Sequence, residues 1–112
     1  MQWQIFVAGL VGAGGLVGAT LYAHVQPIPA LEQAAYIALF HAPVLLWLSR
    51  ERQSLLKTLL SVGFILGVSL FTGSIYLRYL VGVERATIVA PTGGTLLIVS
   101  WLGISGLALR SR

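Results

Sequence analysis

The chain has 112 residues, of which 57% are hydrophobic and 9% charged, with a formal net charge of +4, 13 glycines and no cysteine. A water-soluble domain carries about a quarter charged residues, so this composition excludes one able to cover its surface with polar groups. The missing cysteines exclude disulfides, thiolate nucleophiles and thiolate metal sites, and basic residues confined to short segments between apolar runs point to lipid headgroups rather than nucleic acid.

Four apolar stretches long enough to cross a bilayer fill nearly the whole sequence. The first opens with Met1-Gln2-Trp3-Gln4, which lacks the Lys or Arg of a leader, and its apolar run is too long for an ordinary signal core. It reads as a retained helix over residues 5–24. Gln26-Pro27-Ile28-Pro29 then breaks the chain, because two prolines in three residues cannot continue a helix. The second helix is expected over 30–49, with Pro43 inside it as a tolerated membrane-helix kink.

Arg50-Glu51-Arg52-Gln53-Ser54 is the most polar segment and belongs in water. The third helix follows over 55–80, with Lys57 expected to snorkel to the interface. Gly82-Val83-Glu84-Arg85 reads as a short loop, and the fourth helix covers 88–109 with Pro91 in its first turn. The fold class is therefore an all-α integral membrane four-helix bundle, a single domain over 1–112. With both termini cytoplasmic, Arg50, Arg52, Lys57, Arg110 and Arg112 lie inside, against Arg78 and Arg85 outside. Tyr22, Tyr36, Tyr76 and Tyr79 near the outer helix ends, and Trp3 and Trp47 near the inner ends, fit the same orientation.

Helix association in lipid depends on close packing at small residues. On the first helix Ala8, Gly12, Gly15, Ala19 and Ala23 share about 80° of arc, with Gly9, Gly14 and Gly18 off that stripe. Gly63, Gly67 and Ser74 line one face of the third helix, and Thr92, Thr95, Gly103 and Gly106 one side of the fourth. These stripes either close the bundle within one chain or receive a second protein. Ser61, Ser69, Thr72, Tyr76 and Tyr79 form a hydroxyl face, expected to bond across the bundle or back to carbonyls one turn earlier; a transport path needs several such faces.

Two histidines are the candidates for chemistry. His41 lies mid-helix beside Ala34 and Ala38, where an ionisable residue is a functional hypothesis, although a neutral imidazole locking two helices explains it as well. His24 ends the first helix near the outer interface, roughly 15 Å from the depth of His41, which disfavours bis-histidine haem. A third metal ligand at helical spacing is lacking, so no metal site is expected. Glu32, Glu51 and Glu84 all fall in expected loops without an acid–base partner, and no catalytic residue is assigned. The glycine pair in Ala90-Pro91-Thr92-Gly93-Gly94-Thr95 lacks the lysine and preceding strand of a phosphate loop.

That same stretch, continuing through Leu96-Leu97 to Trp101-Leu102, resembles the last helix of the YgdD-like domain-of-unknown-function 423 family. These are small bacterial inner-membrane proteins with eukaryotic relatives, the transmembrane protein 256 group. Leu70-Phe71-Thr72-Gly73-Ser74-Ile75-Tyr76 resembles the family's third-helix signature, Phe40-His41 with Leu45-Leu46 its second-helix histidine motif, and Ala23-His24 the end of its first-helix motif. Here Gly18-Ala19-Thr20-Leu21-Tyr22-Ala23-His24 departs from the family's glycine pattern, and Pro43 follows His41 unusually closely. The family motif positions are thus His24, His41, Ser74, Tyr76, Pro91, Gly93 and Gly94. The resemblance implies a four-helix membrane protein without an established enzymatic activity.

The sequence therefore leads to the expectation of a non-enzymatic membrane protein that holds no cofactor. Its place would be the lipid bilayer beside other membrane subunits, as an accessory or packing subunit of a larger, for example respiratory, complex. A bacterial inner membrane is expected, or a mitochondrial one in a eukaryote. The alternative is a quinone-, lipid- or haem-binding protein using His41 and Tyr76.

Overall fold

The computed structural model describes residues 2–109, and within them four long helices are each apolar enough to cross a membrane. Helix α1 spans Trp3–His24, α2 Pro29–Ser49, α3 Leu55–Val81 and α4 Ala90–Gly106. The longest dimension is 48 Å, close to the roughly 40–45 Å of a bilayer with its headgroup regions. Arg110 and Arg112, counted in the charge bias, lie outside the described residues.

Local chemistry sets each boundary. At the end of α1 the N–H groups of Val25 and Gln26 both donate to the Leu21 carbonyl, at 2.9 and 2.7 Å, before Pro27 stops the helix. Ile28 is extended, as a residue before proline must be, and Pro29 opens α2. Glu32 sits in the first turn of α2, not in a loop, where its charge favours the helix N-terminus. The Ser54 hydroxyl caps α3 by accepting from the Lys57 N–H at 3.1 Å.

The other end of α3 is built differently from an ordinary α-helix. Its turns widen to π-helix at Ser69–Gly73 and again at Leu77–Val81. Gly82 then takes φ +97, a conformation that favours glycine, and the N–H groups of Gly82 and Val83 both close on the Leu77 carbonyl at 3.0 Å. The expected loop over 82–85 is shorter than that. Glu84–Val89 already forms a 3-10 helix leading into α4, which has Pro91 in its first turn as its missing N–H requires.

Helices α2 and α3 form the middle of the bundle. Over their most apolar spans 44% and 39% of residues are buried, against 17% for both α1 and α4. Helix α1 lies on α2, with Gly12 facing Ala42 and Gly15 pressed on Leu39 and the Ala35 carbonyl. Helix α4 lies on α3: Leu97 covers Gly67, Ser100 covers Gly63, and Leu60 covers Gly103. At the crossing of α3 and α4 the backbones themselves meet, since a Cβ on Gly93 would sit 2.5 Å from the Phe71 nitrogen and 2.7 Å from the Gly67 carbonyl oxygen.

Three features of the sequence-read faces need correction. The α1 stripe stops short: Ala8 is buried and Ala19 half-buried, but Ala23 is exposed. Gly18, off that stripe, is buried instead, beneath the Tyr76 hydroxyl. On α4 the packed face runs through Gly93, Leu97 and Ser100, while Thr92 and Thr95 are exposed and Gly106 has open space around it. The cause is a rotation of α4 that arc counting cannot see, because both of its sides carry small residues.

Candidate functional site

His41 is 5% exposed, and it stands where α2, α3 and α4 converge. Its ring packs on Phe64 of α3, with centroids 5.6 Å apart, and on Trp101 of α4 at 5.9 Å; Phe64 and Trp101 meet edge-on at 5.5 Å. Both imidazole nitrogens are engaged. Nδ1 lies 2.6 Å from the Ile37 carbonyl oxygen, which can only accept, so Nδ1 carries the proton and donates. Nε2 lies 3.0 Å from Trp101 Nε1, an indole that can only donate, so Nε2 accepts. The partners thus fix a neutral ring in one tautomer, tying α2 to α4. A ring so held has no lone pair left for a metal or haem iron.

Tyr76 belongs to a different place. Its hydroxyl donates to the Gly14 carbonyl at 2.8 Å, fastening α3 to α1. One turn earlier, Thr72 in the first π-turn donates to the Ala34 carbonyl of α2 at 2.8 Å. Ser74 is buried and donates to Phe71 within its own helix at 2.9 Å. Two hydroxyls of this α3 face, Thr72 and Tyr76, therefore bond to backbone carbonyls on two neighbouring helices. Ser61 differs: it is fully buried, and its hydroxyl meets no partner among the described residues.

The structure does not bring His41 and Tyr76 together. The ring against His41 is Phe64, and Tyr76 follows twelve residues later on α3, about 18 Å along the axis. A single pocket using both is thereby corrected, because helical spacing cannot report which partner helix each residue meets. His24 is exposed in the last turn of α1. Among the described residues no group of three or more His, Asp or Glu stands close enough to hold a metal.

Two functions of charged residues were missed. Lys57 does not snorkel outward: it is buried, and its Nζ donates to the Ser49 and Glu51 carbonyls at 3.4 and 3.1 Å. It thus neutralises the C-terminal end of α2. Arg78 donates to Thr87 Oγ1 at 3.1 Å and lies 5.2 Å from the Tyr79 ring centre, so it clasps the 3-10 segment at Thr87. Neither role has a sequence signal beyond a cation near a helix end.

Among the hollows on the described surface of the bundle, two lie beside these residues. One, of about 320 Å³, lies beside the His41 cluster between Pro43, Trp47, Trp101 and Ile104. The other, of about 610 Å³, runs between the π-turns of α3 and the 3-10 segment.

A family model described as a protein of unknown function, DUF423, matches residues 8–94. The match takes in the histidine of α2, the π-turns of α3 and the Gly93-Gly94 pair, and it stops before Trp101. No curated protein and no solved structure matches the chain.

Proposed function

The chain belongs to the DUF423 family, whose activity is unknown, and on that premise we propose that it is a non-enzymatic accessory subunit, packing by its helix faces against a larger membrane complex. The orientation proposed is both termini in the cytoplasm of a bacterium, across its inner membrane, or in the mitochondrial matrix of a eukaryote. The single observation that carries this reading is the outward face of α1. Gly9, Ala13 and Thr20 are all exposed there and share about 40° of arc, a small-residue strip flanked by the exposed Phe6 and Leu16. Among the described residues, nothing beyond its chain neighbours and the backbone of its own helix lies within 4 Å of a Cβ added at Gly9.

A helix facing only lipid has no use for small residues, whereas one receiving another helix needs them to let backbones approach. The polar side chains support the same view from the opposite direction. His41, Thr72 and Tyr76 spend their hydrogen bonds inside the chain, which leaves helix faces as the surface for function.

The test replaces Gly9 and Ala13 with leucine in the chain purified from native membranes in mild detergent. The reading expects a heteromeric assembly with the wild-type chain, lost in the Gly9→Leu, Ala13→Leu variant while its thermal unfolding midpoint stays unchanged. A monomeric wild-type chain, or an assembly that survives both leucines, contradicts it.

A further inference from the structure

The larger hollow has the dimensions of a bilayer leaflet. It is bounded along α3 from Ser69 to Val81, about 15–18 Å of helix, against a half-thickness of about 15 Å for the hydrocarbon core. One end lies at the Gly82 turn, where the chain leaves the apolar span, and the other end reaches toward mid-membrane. Its volume of about 610 Å³ suits one ligand, since such pockets hold roughly 300–1,000 Å³.

The walls are apolar, with Leu77, Leu80 and Val89 among them. Of the three hydroxyls along it, that of Ser74 is spent on Phe71 and that of Tyr76 on Gly14, which leaves the exposed Ser69 at the end away from the Gly82 turn. A ligand with a polar ring would find few groups to orient it. The charge is at the headgroup end, where Arg85 lines the rim and is exposed. Arg78 nearby is already engaged with Thr87 and the Tyr79 ring. Glu84 is not among the lining residues, and successive side chains on a 3-10 helix point about 120° apart.

Gly73 supplies the second observation. It lines the groove, its backbone is ordinary right-handed helix (φ -61, ψ -41), and among the described residues no atom beyond its chain neighbours and own helix backbone lies within 4 Å of a Cβ added there. Neither conformation nor packing within the chain calls for glycine, which costs a helix interior about 1 kcal/mol relative to alanine. What its bareness leaves open is the floor of the groove.

We propose that this groove holds an acyl chain of an anionic phospholipid, lying along the π-turns of α3, with the lipid phosphate on the Arg85 guanidinium. The planar guanidinium suits a phosphate, and the groove carries the tail from headgroup level into the membrane. This site is on α3 and the 3-10 segment, so its failure would leave the outward face of α1 untouched.

The test is native mass spectrometry of the detergent-purified chain titrated with phosphatidylglycerol or with phosphatidylcholine of identical acyl chains. Wild-type protein is expected to retain phosphatidylglycerol about fivefold more strongly, the equivalent of ~1 kcal/mol for one arginine at a lipid surface. Arg85→Gln should abolish that preference. Gly73→Leu should weaken retention of both lipids, with a thermal midpoint equal to or above wild type. Equal retention of the two lipids by the wild-type chain, or undiminished retention by Gly73→Leu, overturns the proposal. Arg85→Gln lies in an exposed turn, so the charge arm stands even if the leucine variant unfolds early.

Discussion

Replacing Gly93 with alanine would drive a Cβ to 2.5 Å from the Phe71 backbone nitrogen, 2.7 Å from the Gly67 carbonyl oxygen and 2.9 Å from the Leu70 Cβ. Ordinary contact needs about 3.5–4.0 Å, so α4 must withdraw from α3 by about 1 Å. No side-chain rotation relieves the strain, because two of the three obstructing atoms are backbone. The adjacent residue is the control. A Cβ at Gly94 meets only the Phe71 ring, at 3.9 Å. Both substitutions change helix propensity at neighbouring positions, so that contribution cancels in their difference. What remains is overpacking, about 1–3 kcal/mol, and the backbone obstruction argues for the upper half of that range. Reversible unfolding by SDS titration in mixed micelles reads the difference directly. Gly93→Ala should be about 1–3 kcal/mol less stable than Gly94→Ala. Equal stability of the two would refute the backbone crossing at Gly67 and Gly93.

Ser61→Ala removes a fully buried hydroxyl without a partner, so stability should hold or rise by up to ~1 kcal/mol; a clear loss would mean the hydroxyl is bonded. Trp101→Phe strips the indole donor from His41 Nε2 and should cost about 1–3 kcal/mol, whereas Trp47→Phe, at a residue just as exposed (48% against 45%) but without that bond, should cost much less. Nitrogen-15 NMR of labelled histidine should find His41 protonated at Nδ1; protonation at Nε2 would break the bridge to α4. Lys57→Met keeps the stem but loses both carbonyl contacts at the end of α2, and should destabilise by about 1–3 kcal/mol in the same SDS assay.

The four spans and their breaks were legible because they rest on local causes: the Gln26-Pro27-Ile28-Pro29 break, the charged turn at residues 50–54, and Pro91 in a first turn. Rotation of each helix about its axis was not. Gly93 falls inside the expected fourth helix but off its expected packing face, which takes Thr92 instead, until α3 is seen to cross at Gly93. The partner of His41 was hidden for the same reason, since Trp101 lies sixty residues away and no spacing rule joins α2 to α4. The π-turns leave no periodic mark in the sequence, and the crossbond from Thr72 in the first of them, to the Ala34 carbonyl, is a tertiary contact. Lys57 read as an interfacial cation because only the folded turn brings the Ser49 and Glu51 carbonyls to it.

In the proposed topology the two turns that flank α3 emerge on opposite faces of a membrane. The chain has no cysteine, so single cysteines at Gln53 and Glu84 can be read without background by a membrane-impermeant maleimide. In intact cells Glu84→Cys should be labelled, and Gln53→Cys only after permeabilisation. The reverse pattern would overturn the proposed orientation; labelling of both positions from one side would contradict the bundle's passage through the bilayer.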